Sequence, residues 1–589
     1  MNNEKLTLWQ TRYSRAASAC AEEVSRSRER EALYAGDPSI TAAHGGGRAK
    51  AATHVRNLAA ELVEAQVDAA IPQPKVTARR IQDEPKAKLI EDMLRNELNR
   101  ISFEELNDMQ ERTTLIQGAS LFFLQWDHRL GSPRQPGELT VSLIHPSQIV
   151  PQEGVTDSIE AMDYFMFNQE LTRAALYRRY KKWVDVPEES PEADAEASLV
   201  TQITAFYRND NGGIGLFSWA GDTVLTDLED YQARQSYTCK ACGAVGFQIC
   251  ASCGSEDLEA SPMEYEPILK GILQEVGCSL PDGKNEWPVL IPCYRPDAFP
   301  FVLRKNVSVY GKLFGDSDVD KIRDQQNTVK KLSTKIGEKL LKGGSYVTLP
   351  AGVTVDKSDS ELKVIHLESP SQKALLDVIN VQPNIAGDLA YQQHVYEEAR
   401  QVVGVTDSFL GRRDPTATSG AAKEFAAIQA AGRFESKRVM KNAAYARLFE
   451  LMFKFRLAYA DEPRDVVSQN RGGQPEYKSF NRYDFLERDE DGVWYWNDDF
   501  LFSTDVAAPL AANREALWRD TTASLAQGAF GDPRLEETLL LYWSKMELLH
   551  YPGAAATRSL FEERAARAAL PSAKANEFVF EGSALPAGS

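Results

Sequence analysis

Three features of the chain predict an α+β fold. Between residues 315 and 344, Ile322, Val329, Leu332, Ile336 and Leu340 recur at three-, four- and seven-residue steps, the period of a helix buried along a narrow stripe. Segments 201–207 and 213–219 alternate with the two-residue period of a half-buried sheet, around a turn at 209–212. Residues 345–349 and 362–367 read as short strands between long helical stretches, split by Pro350, Gly352 and a polar turn at 356–360.

Taken in order, residues 5–34 read as an amphipathic helix stopped near Asp37-Pro38. The glycine run at 42–50 lacks the GxxxxGK[ST] spacing of a phosphate loop and reads as a flexible loop. Residues 55–68 suit a helix, ended by Ile71-Pro-Gln-Pro and followed by a strand at 75–79. Helices at 83–100 and 103–117 lead through Gly118 into an apolar strand at 119–127, which pairs with 139–145. Residues 171–182 form a short helix and 185–197 an acidic surface loop. Asp316, Ser317 and Asp318 offer an N-cap to the helix that Gly343-Gly344 closes, roughly 40 Å long. A second helix over 371–403 is interrupted near Pro383, a glycine-rich polar loop fills 404–420, and a third helix runs over 421–459. In that third helix Tyr445, Leu448, Phe449, Met452 and Phe455 on one side, with Leu451, Phe453 and Leu457 on the other, mark a buried helix. Further helices are expected at 508–527, 533–549 and 555–570, before a poorly ordered tail.

At 589 residues the chain should divide into two to four regions. No apolar run reaches the ~18 residues of a membrane span, and Met-Asn-Asn-Glu-Lys opens no secretory segment, so the expectation is synthesis in the cytoplasm. The net charge of −18 counts against a simple nucleic-acid-binding domain, because phosphate contacts call for a basic surface. It is compatible with a conduit whose acidic wall lets DNA slide, and equally with a charge that only keeps a large protein soluble. The seven histidines are dispersed, and no HExxH, G-x-S-x-G or Walker A motif occurs, so nothing recommends an enzyme.

The sharpest local chemistry is Cys239-Lys-Ala-Cys242-Gly followed by Cys250-Ala-Ser-Cys253-Gly. Each CxxC-Gly turn aims two thiolates at one point, and two such turns complete a closed tetrahedral S₄ shell. A structural Zn²⁺ is expected within 237–257; an iron of rubredoxin type has the same ligands and stays open. Glu256, Asp257 and Glu259 flank the site and favour a structural clip over a nucleic-acid contact. Cys20, Cys278 and Cys293 are scattered and read as ordinary thiols.

The order of elements in 315–459, the entry Tyr310-Gly-Lys-Leu-Phe-Gly-Asp-Ser-Asp-Val with Gln325-Gln-Asn after it, and Gly404-Val-Thr-Asp followed by Thr418-Ser-Gly resemble the portal protein family of tailed bacteriophages. The resemblance implies a mixed α/β wing at 1–314, stem helix 1 at 315–344, a clip at 345–370, stem helix 2 at 371–403 and a tunnel loop at 404–420. A long helix and wing would follow at 421–504, a helical crown at 505–571 and a flexible tail at 572–589. The cysteine insert is a departure from that pattern. The resemblance implies a virion protein at the capsid vertex, a ring homo-oligomer, as in the family's dodecamers, through which double-stranded DNA passes. It also implies docking of the terminase large subunit, a head-completion adaptor, and the major capsid and scaffolding proteins. Arg412 and Arg413, with Lys330, Lys331, Lys335, Lys339 and Lys342, are then the candidates to face DNA, and Ile322, Val329, Leu332, Ile336 and Leu340 the seam between subunits. Two other readings stay open: a zinc-ribbon nucleic-acid-processing factor, and a non-portal oligomeric virion protein.

Overall fold

The computed structural model describes residues 2–40, 50–51, 55–184, 198–246, 252–253, 258–268, 289–348, 354–355, 365–366, 369, 371, 377–405, 434–469, 475–505, 511–549 and 551–569. It mixes helix and strand, and among the described residues no helix is long and apolar enough to cross a membrane. Twelve helices are named in chain order: α1 Asn2–Ala35, α2 Leu58–Glu64, α3 Glu84–Ile101, α4 Phe103–Gln117, α5 Arg173–Tyr180, α6 Asp318–Lys321, α7 Arg323–Lys342, α8 Ala386–Val403, α9 Glu435–Tyr459, α10 Ala511–Ala526, α11 Glu536–Leu548 and α12 Ala554–Ala569.

The chain forms two compact units that do not follow its linear order. The first contains Met1–Ile71, Arg100–Tyr459 and Tyr483–Asp498. Its centre is a pair of antiparallel sheets. One has five strands, with Tyr164–Thr172 between Ile149–Pro151 and Leu199–Arg208, and Ile214–Ala220 and Thr223–Leu228 continuing it. The other places Ala119–Ser132 between Phe301–Lys305 and Gln135–Ile144. Strand alternation sends Phe165 and Phe167 to one face of the larger sheet and Met166 to the opposite face. Phe165 and Phe167 join Phe123, Phe206 and Phe301 in the core between the sheets, with Phe165 and Phe301 ring centroids 4.6 Å apart. Met166 instead meets Leu6, Trp9 and Ala16 of α1, with Phe217 and Trp219. One sheet therefore serves two cores.

The smaller sheet is backed by α4 and α9. Phe122 packs edge-on to Tyr445, whose hydroxyl donates to Asn107 Oδ1 at 2.6 Å. All eight apolar positions of α9 named from the sequence are buried, as a helix apolar on every side requires. Gly118 ends α4 at φ +85, where a Cβ would meet the backbone of Asp316 and Ser317 at 3.0 and 3.1 Å. Glycine suits the position because it takes a left-handed conformation readily and carries no Cβ to meet that backbone. Beneath the whole junction lies an ionic core: Arg304 pairs with Glu111 at 2.6 Å and Lys441 with the same carboxylate at 2.7 Å, all three nearly inaccessible.

The second unit contains Pro72–Asn99, Ala460–Arg482 and Asp499–Ser589. Strand Pro74–Ala78 pairs antiparallel with Phe500–Thr504, and Arg464–Gln469 with Pro475–Phe480. Lys478 reaches Asp92 of α3 at 2.9 Å. Helices α10 to α12 assemble around Tyr542, Met546 and Ala554.

Several elements differ from the sequence expectation. Only 58–64 of the expected helix at 55–68 is helical, with Asn57 accepting from the Ala60 amide as its cap. The helix expected over 315–344 is divided at Ile322: Ser317 caps α6 through the Val319 and Asp320 amides, and α7 then starts afresh, about 30 Å long. The helix expected over 371–403, with a break near Pro383, begins only at Ala386. Asp377–Val381, with three β-branched residues in five, is a strand paired along its length with Gly344–Thr348. The β portion of this region thus extends beyond the expected clip boundary at 370. The short pair Thr354–Val355 and Ile365–His366 lies inside it. Of the expected third helix, 421–433 lies outside the described residues.

Candidate functional site

Two places carry the candidate chemistry. The first is the cysteine insert. Strand Gln235–Cys239 lies between Val245–Gly246 and Leu258–Pro262 in a small sheet of its own. At its end the chain turns back: the Gly243 amide donates to the Cys239 carbonyl at 2.8 Å, and the Cys239 amide to the Ala244 carbonyl at 2.9 Å. Gly243 sits at φ +71, the conformation a knuckle glycine supplies. The Sγ atoms of Cys239, Cys242 and Cys253 all lie within 4.8 Å of one another, with Cys239 and Cys253 at 3.5 Å. Metal–sulfur bonds of ~2.3 Å in a tetrahedron put sulfurs about 3.8 Å apart, so this donor set fits a metal ion. Amides of Cys242 and, less strongly, Ala241 pull the Cys239 thiol below its ordinary value, with the two neighbouring thiols assisting. That favours the thiolate a metal needs. Cys250 lies outside the described residues, and Cys293 is buried elsewhere.

The second is the hairpin of α7 and α8. The two helices run antiparallel: Gln392 donates to Ser333 at 2.8 Å, while Lys335 reaches Asp388 at 3.1 Å and Lys339 closes on the same carboxylate. Lys339 and then Lys335 hold the Asp388 carboxyl below its usual range. The strand ladder 344–348 with 377–381 closes the tip.

The seam and the basic residues do not all stand where the sequence suggested. Ile322 and Val329 are buried in this chain's own core with Leu58, Leu62, Val395, Tyr396, Ala399 and Val403. Two of the five expected seam positions are therefore satisfied within one chain, because α2 and α8 cover them. Ile336 is buried, Leu332 is half-buried and Leu340 is 54 % exposed. Lys330 is also a correction as a DNA-facing charge. It is 3 % exposed, donates to the carbonyls of Asp37 and Ser39 at 3.1 and 3.0 Å, and burial lowers its pKa. Lys331 is exposed, whereas Lys335 and Lys339 are engaged by Asp388. The side chain of Lys342, and all of Arg412 and Arg413, lie outside the described residues.

Leu341, Leu389, Tyr391 and Val402, none of them in the expected seam, are 82, 46, 54 and 47 % exposed on the two helices of the hairpin. Leu341 adjoins the expected seam but falls off its three- and four-residue steps. A search for apolar residues among lysines would have found it.

No protein-family model matches the chain, and no curated protein matches it.

Proposed function

We propose that this chain is a subunit of a phage portal: a closed homo-ring at the capsid vertex, of the family's twelvefold form, that conducts genomic DNA and receives the terminase motor and a head-completion adaptor. The observation that carries the reading is the antiparallel α7–α8 hairpin. It is rooted in its own chain's core at Ile322 and Val329, closed by a strand ladder, and bears exposed leucines toward that ladder. A helix pair that needs only part of its apolar surface for its own fold has the remainder for neighbours. Gly404 and the following polar loop then take the tunnel-loop position, with Arg412 and Arg413 beside the passing phosphates. Absolute molar mass by light scattering tests the ring: a mass many times 65.6 kDa supports it, and a monomer refutes it.

The metal in this reading is one structural Zn²⁺ per chain, held by Cys239, Cys242, Cys253 and Cys250. Its chemistry there is to staple the insert. Elemental analysis should find zinc at one equivalent. Cys242→Ser should abolish it and leave ring assembly intact, because among the described residues the insert's three strands pair only with one another. Iron at full occupancy, or no metal, contradicts the assignment.

A further inference from the structure

Residues 173–182 hold five basic and no acidic side chains in a chain of net charge −18. They occupy α5 and the residues after it. Thr172 caps the helix through the Ala175 amide at 3.2 Å, and Lys181 ends it at φ +56. Leu176 and Val184 anchor the segment, fully buried with Ala220 and Leu225. Lys182 adds two hydrogen bonds, to the Val224 and Leu225 carbonyls at 2.8 and 3.0 Å. That anchoring fixes which side chains face outward: Arg178, Arg179, Lys181 and Trp183 are exposed.

Most cations described in this protein have a carboxylate partner, but Arg178, Arg179 and Lys181 have none among the described residues. Beside them Trp183 stacks on Tyr177, with centroids 4.3 Å apart and planes 19° apart, and is still 48 % exposed. The Arg173 guanidinium lies 5.2 Å from the Trp183 ring and the Lys181 ammonium 5.9 Å from the Tyr177 ring. Two arginines in the last turn of a helix also favour its C-terminus electrostatically. That accounts for neither Lys181 beyond the turn nor an exposed indole held flat by a tyrosine.

We propose that this surface binds single-stranded nucleic acid, with Arg178, Arg179 and Lys181 on successive phosphates and a base stacked on the open part of Trp183. Charge complementarity selects a polyanion. The fixed aromatic platform selects one with unstacked bases, because a duplex keeps its base faces occupied.

The test is fluorescence anisotropy of a labelled twelve-residue oligo(dT) with the full-length chain, titrated across salt. Wild type should bind it more tightly than a duplex of equal length, heparin or anionic phosphatidylserine vesicles. Changing Arg178, Arg179 and Lys181 together to Gln should flatten the slope of log affinity against log salt by about 2. Trp183→Ala should weaken binding about tenfold, and Trp183→Phe, which keeps an aromatic face, should retain most of it. Melting curves of each variant separate lost binding from lost folding; a Trp183→Ala that melts early leaves the Gln variant and the Phe variant to decide. Unchanged affinity in the folded Gln variant overturns the proposal. So does equal binding of duplex, heparin or vesicles, or a Phe variant that binds no better than Ala.

Discussion

Glu111→Ala should lower the melting temperature of the first unit by on the order of 10 °C. The carboxylate is shared by Arg304, in a two-point pair at 2.6 and 3.0 Å, and by Lys441 at 2.7 Å. Arg304 retains Gln110 Oε1 at 2.6 Å, and Lys441 retains Asp68 Oδ2 and the Ala70 carbonyl at 3.0 and 2.7 Å. Lys441 keeps an anion in Asp68, but the neutral Gln110 amide leaves the buried Arg304 guanidinium without one. Removing one partner from such a group typically costs about 3–5 kcal/mol, far more than an exposed ion pair is worth. Replacing all three together, Glu111→Leu with Arg304→Met and Lys441→Met, should recover much of the loss, since no buried cation is then stranded and Asp68, 40 % exposed, is left to water. A scanning calorimetry trace in which Glu111→Ala melts with the wild type would show that the cluster is solvated in solution.

The second large effect is on assembly. Leu340→Asp with Leu341→Asp should leave the chain folded and reduce it to monomers or small oligomers. Both side chains are exposed in the single chain, so charging them removes no contact on which its own core depends. The contrast is Val329→Asp, which buries a carboxylate among Leu58, Leu62 and Val395 and should unfold the protein instead. Circular dichroism with sedimentation velocity separates the outcomes. Rings from the double variant would move the subunit contact away from the ladder end of the hairpin, and an unfolded double variant would place these leucines in the fold itself.

Much of the fold was legible because local periodicity carried it. The aromatic strand entered through Gly118, the helix apolar on every side at 435–459 and the three C-terminal helices each state their own period. What could not be read is pairing between distant segments. Nothing in Pro74–Ala78 names Phe500–Thr504 as its partner, so the division into two interleaved units has no local signal. Asp377–Val381 was absorbed into a neighbouring helix for a related reason: its strand identity depends on Gly344–Thr348 across the ladder. The cysteine turns were legible because thiolate spacing is itself the signal, and Cys239, Cys242 and Cys253 do converge. Lys330 was misread because charge in a sequence says nothing of burial. Its ammonium instead ties the carbonyls of Asp37 and Ser39 to α7.

The central claim is a ring made by the α7–α8 hairpins, and a negative-stain image of the purified chain tests it most directly. The account predicts closed rings with a stain-filled central hole, about the width of a DNA duplex or somewhat larger, in the wild type and in Cys242→Ser, and their loss in Leu340→Asp with Leu341→Asp. Isolated particles of monomer size, or solid or filamentous assemblies from the wild type, would contradict it.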